Sequence, residues 1–463
     1  MKMTKKIFAI LLAVMMLAVC AAAWATESTT EDMSGNDGVI GAFDPADNKE
    51  TQKTSVIIYK EITAYNPDTS TVNAPAVTYS YTVAAGSAGK AITDNSSHHD
   101  PAASVHATTK AGVGSPTITG FTLTPGTDTL SASQYGTANR FPVTVDFSGI
   151  FKTGTTANYS AGVYRYVITE STTETTKNAS GIAEDDNAVK TLYMDVYVDG
   201  SGDIYGYTLF STNDDIDATD SDAAAAAAVG KTEGFVGSKD DDEAYSSSDT
   251  QPVTDKYYTF NLSIKKIVEN DNYAIEQKHQ FPFTVTLDNA TVTANVLPIM
   301  TNNNTESDTL VTQTALTAAA IGTGSNATEW SPAIAHNGVV TYTGIPCGTT
   351  VTISETNNLT GVTYKASISG ADVNGEAKEI VGDATNGGVS NNATVSCNAT
   401  ALEAATENHT TGDKIVTFTN TLQTISPTGL VLRFAPYALI LVGGIALLLI
   451  AMKHKKHADT DEE

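Results

Sequence analysis

Cysteine is nearly absent from this chain: three occur in 463 residues, and one of them, Cys20, lies in an apolar N-terminal run. The remaining pair, Cys347 and Cys397, allows one disulfide at most, so no disulfide framework holds the chain together. Basic residues are scarce as well. Lys and Arg number 26 against 52 Asp and Glu, a formal net charge of -26, which leaves no basic stripe for a phosphate-rich partner and excludes nucleic-acid binding. Helix-period patterns are few, and long apolar runs are confined to the two ends. Recognisable enzyme motifs are missing too. Gly230-Lys231-Thr232 has Ala225 where a phosphate-binding loop needs glycine. His98-His99-Asp100 is a single adjacent histidine pair, and Asp240-Asp241-Asp242-Glu243 lacks spaced ligands and a glycine. No nucleophile elbow, zinc helix motif or spaced acid pair points to an enzyme acting on outside substrates, and no metal or cofactor is expected.

What is present begins at the ends. Residues 1–25 open with MKMTKK, continue through IFAILLAVMMLAV and close on Ala23-Trp24-Ala25, the layout of a secretory signal peptide cleaved after Ala25. Val19 is larger than the residue usual before a lipid-modified cysteine, so ordinary cleavage is expected. Residues 434–452 are apolar and uncharged, long enough for a transmembrane helix. Lys453, Lys455 and Lys456 follow, which holds the tail, 453–463, in the cytoplasm. The bulk of the chain is therefore expected outside the cell, as a membrane-anchored precursor.

Between the ends the sequence is rich in Thr, Val, Tyr and Gly. Alternating runs such as TSVIIYKEI (54–62), GVYRYVITE (162–170), YTFNLSIKKIV (258–268), TTVTISE (349–355) and KIVTFTN (414–420) are bounded by Gly, Asn, Asp and Pro. Period-two alternation with such punctuation predicts strands, and DGSGD (199–203) predicts a hairpin turn. The expected fold class is all-β, with tandem immunoglobulin-like β-sandwich domains over 51–256 and 257–424. Residues 26–50 read as a disordered leader, and 211–256, acidic and rich in Ala and Ser, as a loop-rich boundary.

The two halves share a pattern. Each opens on a strand with two apolar residues and a lysine in one alternation phase: Val56, Ile58, Lys60, and Leu262, Ile264, Lys266. Side chains two apart share a face, so each lysine follows its neighbours into the core. Each half later has a strand ending on glutamate, Glu170 in VITE and Glu355 in TISE, and the second closes on VTFTN, with Asn420 in phase with Phe418 and Val416. The commoner outcome for a buried Lys and Glu is a salt bridge. The alternative is covalent. Desolvation favours a neutral amine and a protonated carboxyl; the amine attacks the asparagine carbonyl, while the glutamic acid polarises that carbonyl and passes a proton to departing ammonia. The product is a Lys–Asn isopeptide bond, which closes a long loop as a disulfide does.

Lys266 on an opening strand, Glu355 in TISE and Asn420 in FTN just ahead of Pro-Thr-Gly resemble the isopeptide-containing backbone pilins of Gram-positive bacteria, of the streptococcal T-antigen type. The resemblance spans the signal peptide, both sandwiches and the tail. It implies a Lys266–Asn420 bond with Glu355 as catalyst. In the first half Lys60 and Glu170 match, but the Phe-x-Asn of the closing strand stands as Phe235-Val236-Gly237. Glu355 to Asn420 spans 65 residues and Glu170 to Gly237 spans 67, which marks Gly237 as the place where asparagine is missing. Either Asn213, Asp240 or Asn261 accepts Lys60, or this domain lacks its bond.

The tail motif, Ile425-Ser426-Pro427-Thr428-Gly429, resembles a variant sortase sorting signal (425–429). The resemblance implies that a sortase cysteine attacks the Thr428 carbonyl, releases Gly429 onward and holds an acyl-enzyme. The accepting amine is then a lysine of a further copy or a peptidoglycan peptide. In the T-antigen type the linking lysine precedes the closing Phe-x-Asn, which points to Lys231, with Lys239 nearby. The expected function is that of a structural subunit of a cell-surface pilus; the alternative is a monomeric wall-anchored adhesin whose loops meet a host or microbial ligand.

Overall fold

The computed structural model describes residues 30–35, 38–40, 51–68, 70–89, 92–94, 108–213, 216–218, 230–237, 253–269, 279–302, 310–356, 363–369, 374–375, 378–381, 391–396 and 414–422, with 437, 439–449 and 452. The signal segment, the sorting motif 425–429, the tail 453–463, Cys397, Lys239, Asp240 and His98 to Asp100 lie outside the described residues. Residues 439–449 are α-helical and expose apolar side chains. Among the described residues no helix is long and apolar enough to cross a membrane.

The chain is all-β. In the first half the main strands are β1 (Ser55–Tyr65), β2 (Tyr81–Ala85), β3 (Thr137–Asp146), β4 (Gly162–Glu170), β5 (Thr191–Val198) and β6 (Ile204–Phe210), with one short helix, α1 (Glu174–Ala179), between β4 and β5. Thr173 caps α1, its hydroxyl accepting from the Thr176 backbone. Strand β7 (Asp255–Glu269) leads to β8 (Phe281–Asp288), β9 (Val339–Pro346), β10 (Thr350–Glu355), β11 (Thr363–Ser369), β12 (Asn391–Ser396) and β13 (Lys414–Leu422). The alternation seen in the sequence becomes burial: Val56, Ile58 and Ile62 of β1 and Leu262, Ile264, Val416 and Phe418 of β7 and β13 are all fully buried. The DGSGD segment turns β5 into β6, with Asp199 Oδ1 accepting from the Ser201 and Asp203 backbones at 2.8 and 2.9 Å.

Among the described residues the two large hydrophobic cores divide along β7 between Tyr257 and Tyr258, and Val163, Tyr197 and Tyr205 form a small third cluster. The first lies between a sheet containing β1 and β3 and a second sheet in the order β6, β5, β4, β2. The other lies between a layer with β7, β9, β11 and β13 and one with β8, β10 and β12. Strand β7 joins the halves by pairing twice. Asp255 to Tyr258 run parallel to Ile62 to Tyr65 of β1, and Leu262 to Glu269 run parallel to Lys414 to Thr421 of β13.

Two expectations change. Part of the stretch read as a disordered leader is strand: Thr30–Asp32 pairs in parallel with β1, Val39–Ile40 pairs with β6, and Met33 is fully buried. Two apolar side chains, Met33 and Ile40, gain enough burial to order a segment whose composition reads as polar. The boundary 211–256 also carries paired backbone. Ile216–Ala218 lies parallel to Ile92–Asp94, Gly234–Phe235 lies parallel to β1, and Asp255 and Lys256 belong to β7.

Candidate functional site

The second core closes around Lys266, Glu355 and Asn420, all three without solvent exposure. Lys266 comes from β7, Glu355 from the end of β10 and Asn420 from β13. The parallel pairing sets Phe418 opposite Lys266 and Asn420 opposite Val268, two residues further along. The antiparallel pairing of β8 with β10 sets Glu355 opposite Phe283. One glutamate oxygen serves both partners: Glu355 Oε1 lies 2.9 Å from Lys266 Nζ and accepts from Asn420 Nδ2 at 2.7 Å. The Phe281 ring stands 4.7 Å from Nζ, and Phe283 packs edge-on to Phe418.

This surround is apolar, and it acts on the lysine. Burial pulls Lys266 down to about 8, although the Glu355 charge opposes it. A lysine in that state supplies neutral amine far more readily than a solvated one. Asn420 Oδ1 and Glu355 Oε2 are buried without a hydrogen-bond partner, an arrangement that costs about 1–3 kcal/mol per atom unless it serves a reaction or a rearranged product.

The first core holds a related cluster. Lys60 Nζ lies 3.0 Å from Glu170 Oε2 and 3.1 Å from Asp255 Oδ2, with all three side chains buried. Tyr79 donates its hydroxyl to Asp255 Oδ2 at 2.7 Å. Lys177, from α1, joins the same group. It contacts Glu170, stands 3.0 Å from Asp255 Oδ2 and reaches Glu184 at 2.7 Å, and Lys190 covers the far side of Glu184. Burial raises the Asp255 carboxyl, but Lys60 and Lys177 outweigh it and leave it below its ordinary value. Burial lowers Lys177, yet Asp255 and Glu170 outweigh that and hold the ammonium above its ordinary value. Burial, then the Asp255 charge, push the Tyr79 hydroxyl well up, so it remains a donor.

The structure thus brings Lys266, Glu355 and Asn420 together, and Lys60 with Glu170. It does not bring Asn213 or Asn261 to Lys60: Asn213 accepts from Arg165 at 3.4 Å, and Asn261 exchanges hydrogen bonds with Asn66 at 2.9 and 3.0 Å. The residue at Lys60 is Asp255, which sequence reasoning passed over. Phe235 stands opposite Lys60, but the chain then passes through residues 238–252 before Asp255 takes the place opposite Ile62. Gly237 abuts Val253 and Thr254 instead. The insertion breaks the spacing by which an acceptor would be recognised; the remaining signal is an acidic residue opening a long strand-forming run, DKYYTFNLSIKKIV. Lys231 is exposed, and its backbone bridges Phe210.

A sequence profile for a domain of unknown function (DUF7601) matches residues 260–422. No curated protein matches the chain. Among solved structures, the chain is similar to the major pilin protein of two Streptococcus pyogenes serotypes. One is 17% identical and covers 83% of this chain and 100% of its own, with a TM-score of 0.34. The other is 15% identical and covers 83% and 99%, with a TM-score of 0.32. A pilus-presented adhesin is 13% identical over 50% of this chain and 37% of its own, with a TM-score of 0.22. The chain is an all-β protein, then, that matches the DUF7601 model over its second core and has pilus proteins among the solved structures it is similar to.

Proposed function

We propose that this chain is a structural subunit of a cell-surface pilus, stabilised by a Lys266–Asn420 isopeptide bond and polymerised by a sortase through Thr428. The observation that carries this reading is the position of Glu355 Oε1, in contact with both Lys266 Nζ and Asn420 Nδ2 in a dry, apolar site. One carboxyl oxygen between the attacking and the leaving nitrogen is the geometry of a proton shuttle. Neutral Lys266 attacks the Asn420 side-chain carbonyl carbon, and the nitrogen that gains a bond gives up its proton to Glu355. Glu355 returns a proton to Nδ2, which leaves as ammonia. One C–N bond forms and one breaks, so no oxidant or cofactor is needed.

Burial assists in two ways. It lowers the cost of holding Lys266 neutral, and it keeps water from competing for the carbonyl. The bond would replace a buried lysine charge and an unpartnered amide oxygen with a neutral secondary amide. The same reading assigns the apolar segment 434–452 as a transient membrane tether, Pro427-Thr428-Gly429 as the cleavage site, and Lys231 as the intersubunit nucleophile. Its partners are the sortase, further copies of the chain and peptidoglycan.

Cell-wall extracts run on a denaturing gel test polymerisation: a ladder of regularly spaced high-mass bands is expected, whereas a single band would indicate a monomeric wall protein. Peptide mass spectrometry tests the bond. A joined peptide carrying Lys266 and Asn420, lighter than its linear parts by the roughly 17 Da of ammonia, is expected; recovery of both residues only in linear peptides would refute it.

A further inference from the structure

We propose that Lys60 and Asp255 are joined by an amide bond formed with loss of water, making the first core a second, chemically distinct cross-linking centre. The inference rests on the chemistry proposed for Lys266 and Asn420, but a separate set of observations carries it.

The two centres share one register. In the second, the acceptor Asn420 stands opposite Val268, two residues past Lys266 on the neighbouring parallel strand. In the first, Asp255 stands opposite Ile62, two residues past Lys60, again on a parallel neighbour. A phenylalanine faces each lysine in that pairing, Phe418 and Phe235. The glutamates correspond as well. Glu355 pairs with Phe283, and the ring of Phe281, two residues earlier, lies over Lys266. Glu170 pairs with Tyr81, and the ring of Tyr79, two residues earlier, lies 5.5 Å from Lys60 Nζ.

Where the centres differ, they differ together. A carboxyl is a poorer electrophile than an amide unless its oxygens are held by donors. Asn420 Oδ1 has no hydrogen-bond partner, whereas the Asp255 carboxyl receives the Tyr79 hydroxyl at 2.7 Å and Lys177 Nζ at 3.0 and 3.1 Å. Phe281 in one centre is thus Tyr79 in the other, and Lys177 supplies a fixed positive charge where negative charge builds on the attacked carboxyl. Lys177 keeps its proton under the pull of Asp255 and Glu170, which fits a charge stabiliser rather than a nucleophile.

The balance is simple. Lys60 Nζ bonds to Asp255 Cγ, one carboxyl C–O bond breaks, and the two protons that the ammonium gives up pass by way of Glu170, in contact with Lys60, to the departing oxygen. The products are a secondary amide and one water. Lys60 and Asp255 both lose their charge, and Lys177 with Glu170 and Lys190 with Glu184 remain as matched pairs. A merely structural cluster would leave two ammonium and three carboxylate groups in contact in a buried site, an arrangement with a heavy desolvation cost.

The test uses the full-length chain, expressed in a host without sortase, denatured and digested for peptide mass spectrometry. A joined peptide carrying Lys60 and Asp255, lighter than its parts by the roughly 18 Da of water, is expected, and Asp255→Ala should abolish it. Asp255→Asn should still join, now releasing ammonia, and give a cross-linked peptide of the same mass as the unsubstituted chain. Lys60 and Asp255 found only in linear peptides, or Asp255 joined to Lys177, would overturn the inference. The Lys266 and Asn420 peptides in the same digest report separately: joined there and linear here, only the first centre's bond falls; linear there and joined here, only the second's.

Discussion

Asp255 and Asn420 hold equivalent places in successive sheets, each on a strand parallel to its lysine strand and each opposite the residue two beyond that lysine. From that relationship the chemistry of each centre can be separated by substitution.

Glu355→Gln keeps the shape of the side chain but removes the proposed proton carrier. Lys266 and Asn420 are then expected to stay unjoined, with the fold retained. Opening a covalent loop of more than about 100 residues should cost about 5 kcal/mol. At about 2–4 °C per kcal/mol, calorimetry would then record a fall in Tm of roughly 10–20 °C. An unchanged Tm together with an intact cross-link would contradict the shuttle role.

In Asn420→Ala, Lys266 has no acceptor and its titration becomes visible. Burial holds its folded-state value at about 8, below its value in the unfolded chain. Between these two values the unfolded state binds more protons than the folded one, so stability should rise with pH from about 8 upward and level off near the ordinary lysine value of about 10.4. Urea unfolding at a series of pH values measures the slope; a fall over that window would contradict the assigned direction.

Arg165 and Asp195 form a buried bidentate pair, with Nε to Oδ1 and Nη2 to Oδ2 both 2.8 Å. Burial raises the Asp195 carboxyl although Arg165 opposes it, so removing the arginine leaves that carboxyl uncompensated. Arg165→Met is expected to destabilise the first core by about 3–5 kcal/mol, seen as an earlier first transition in chemical denaturation. The second transition should not move, since the two cores have separate hydrophobic interiors.

On the proposed sortase reading, Thr428→Ala should abolish the high-mass ladder in wall extracts, since Thr428 would form the acyl-enzyme. Lys231→Arg, which keeps the charge but not the amine nucleophile, should collapse the ladder while leaving monomer in the wall. A ladder that survives Lys231→Arg moves the intersubunit link to another lysine.

Much of the architecture was legible in the residues because period-two alternation is a local signal. Val56, Ile58 and Lys60, like Leu262, Ile264 and Lys266, face their cores as the alternation predicts. The assembly of Lys266, Glu355 and Asn420 was legible for the same reason, since each residue shares a phase with buried apolar neighbours. Asp255 was not. Its partner strand is separated from Phe235 by an insertion, and only three-dimensional pairing shows that Asp255 resumes the position opposite Ile62. Tyr79 and Lys177 were invisible for a related reason: a short strand and a short helix bring them in from unrelated stretches of sequence. The strands at Thr30–Asp32 and Val39–Ile40 depend on pairing with distant partners that local composition does not register.

Strand β7 belongs to both halves at once, and this has a mechanical meaning. With Lys60 tied to Asp255 and Lys266 tied to Asn420, tension applied between the chain ahead of Lys60 and the chain beyond Asn420 would cross each sandwich through a side-chain amide and pass between them through the backbone from Asp255 to Lys266. The loops and remaining strands would carry none of it. A pull that would otherwise unravel several hundred residues would meet a path with almost no slack, whose yield point is set by covalent bonds and not by the packing of either core.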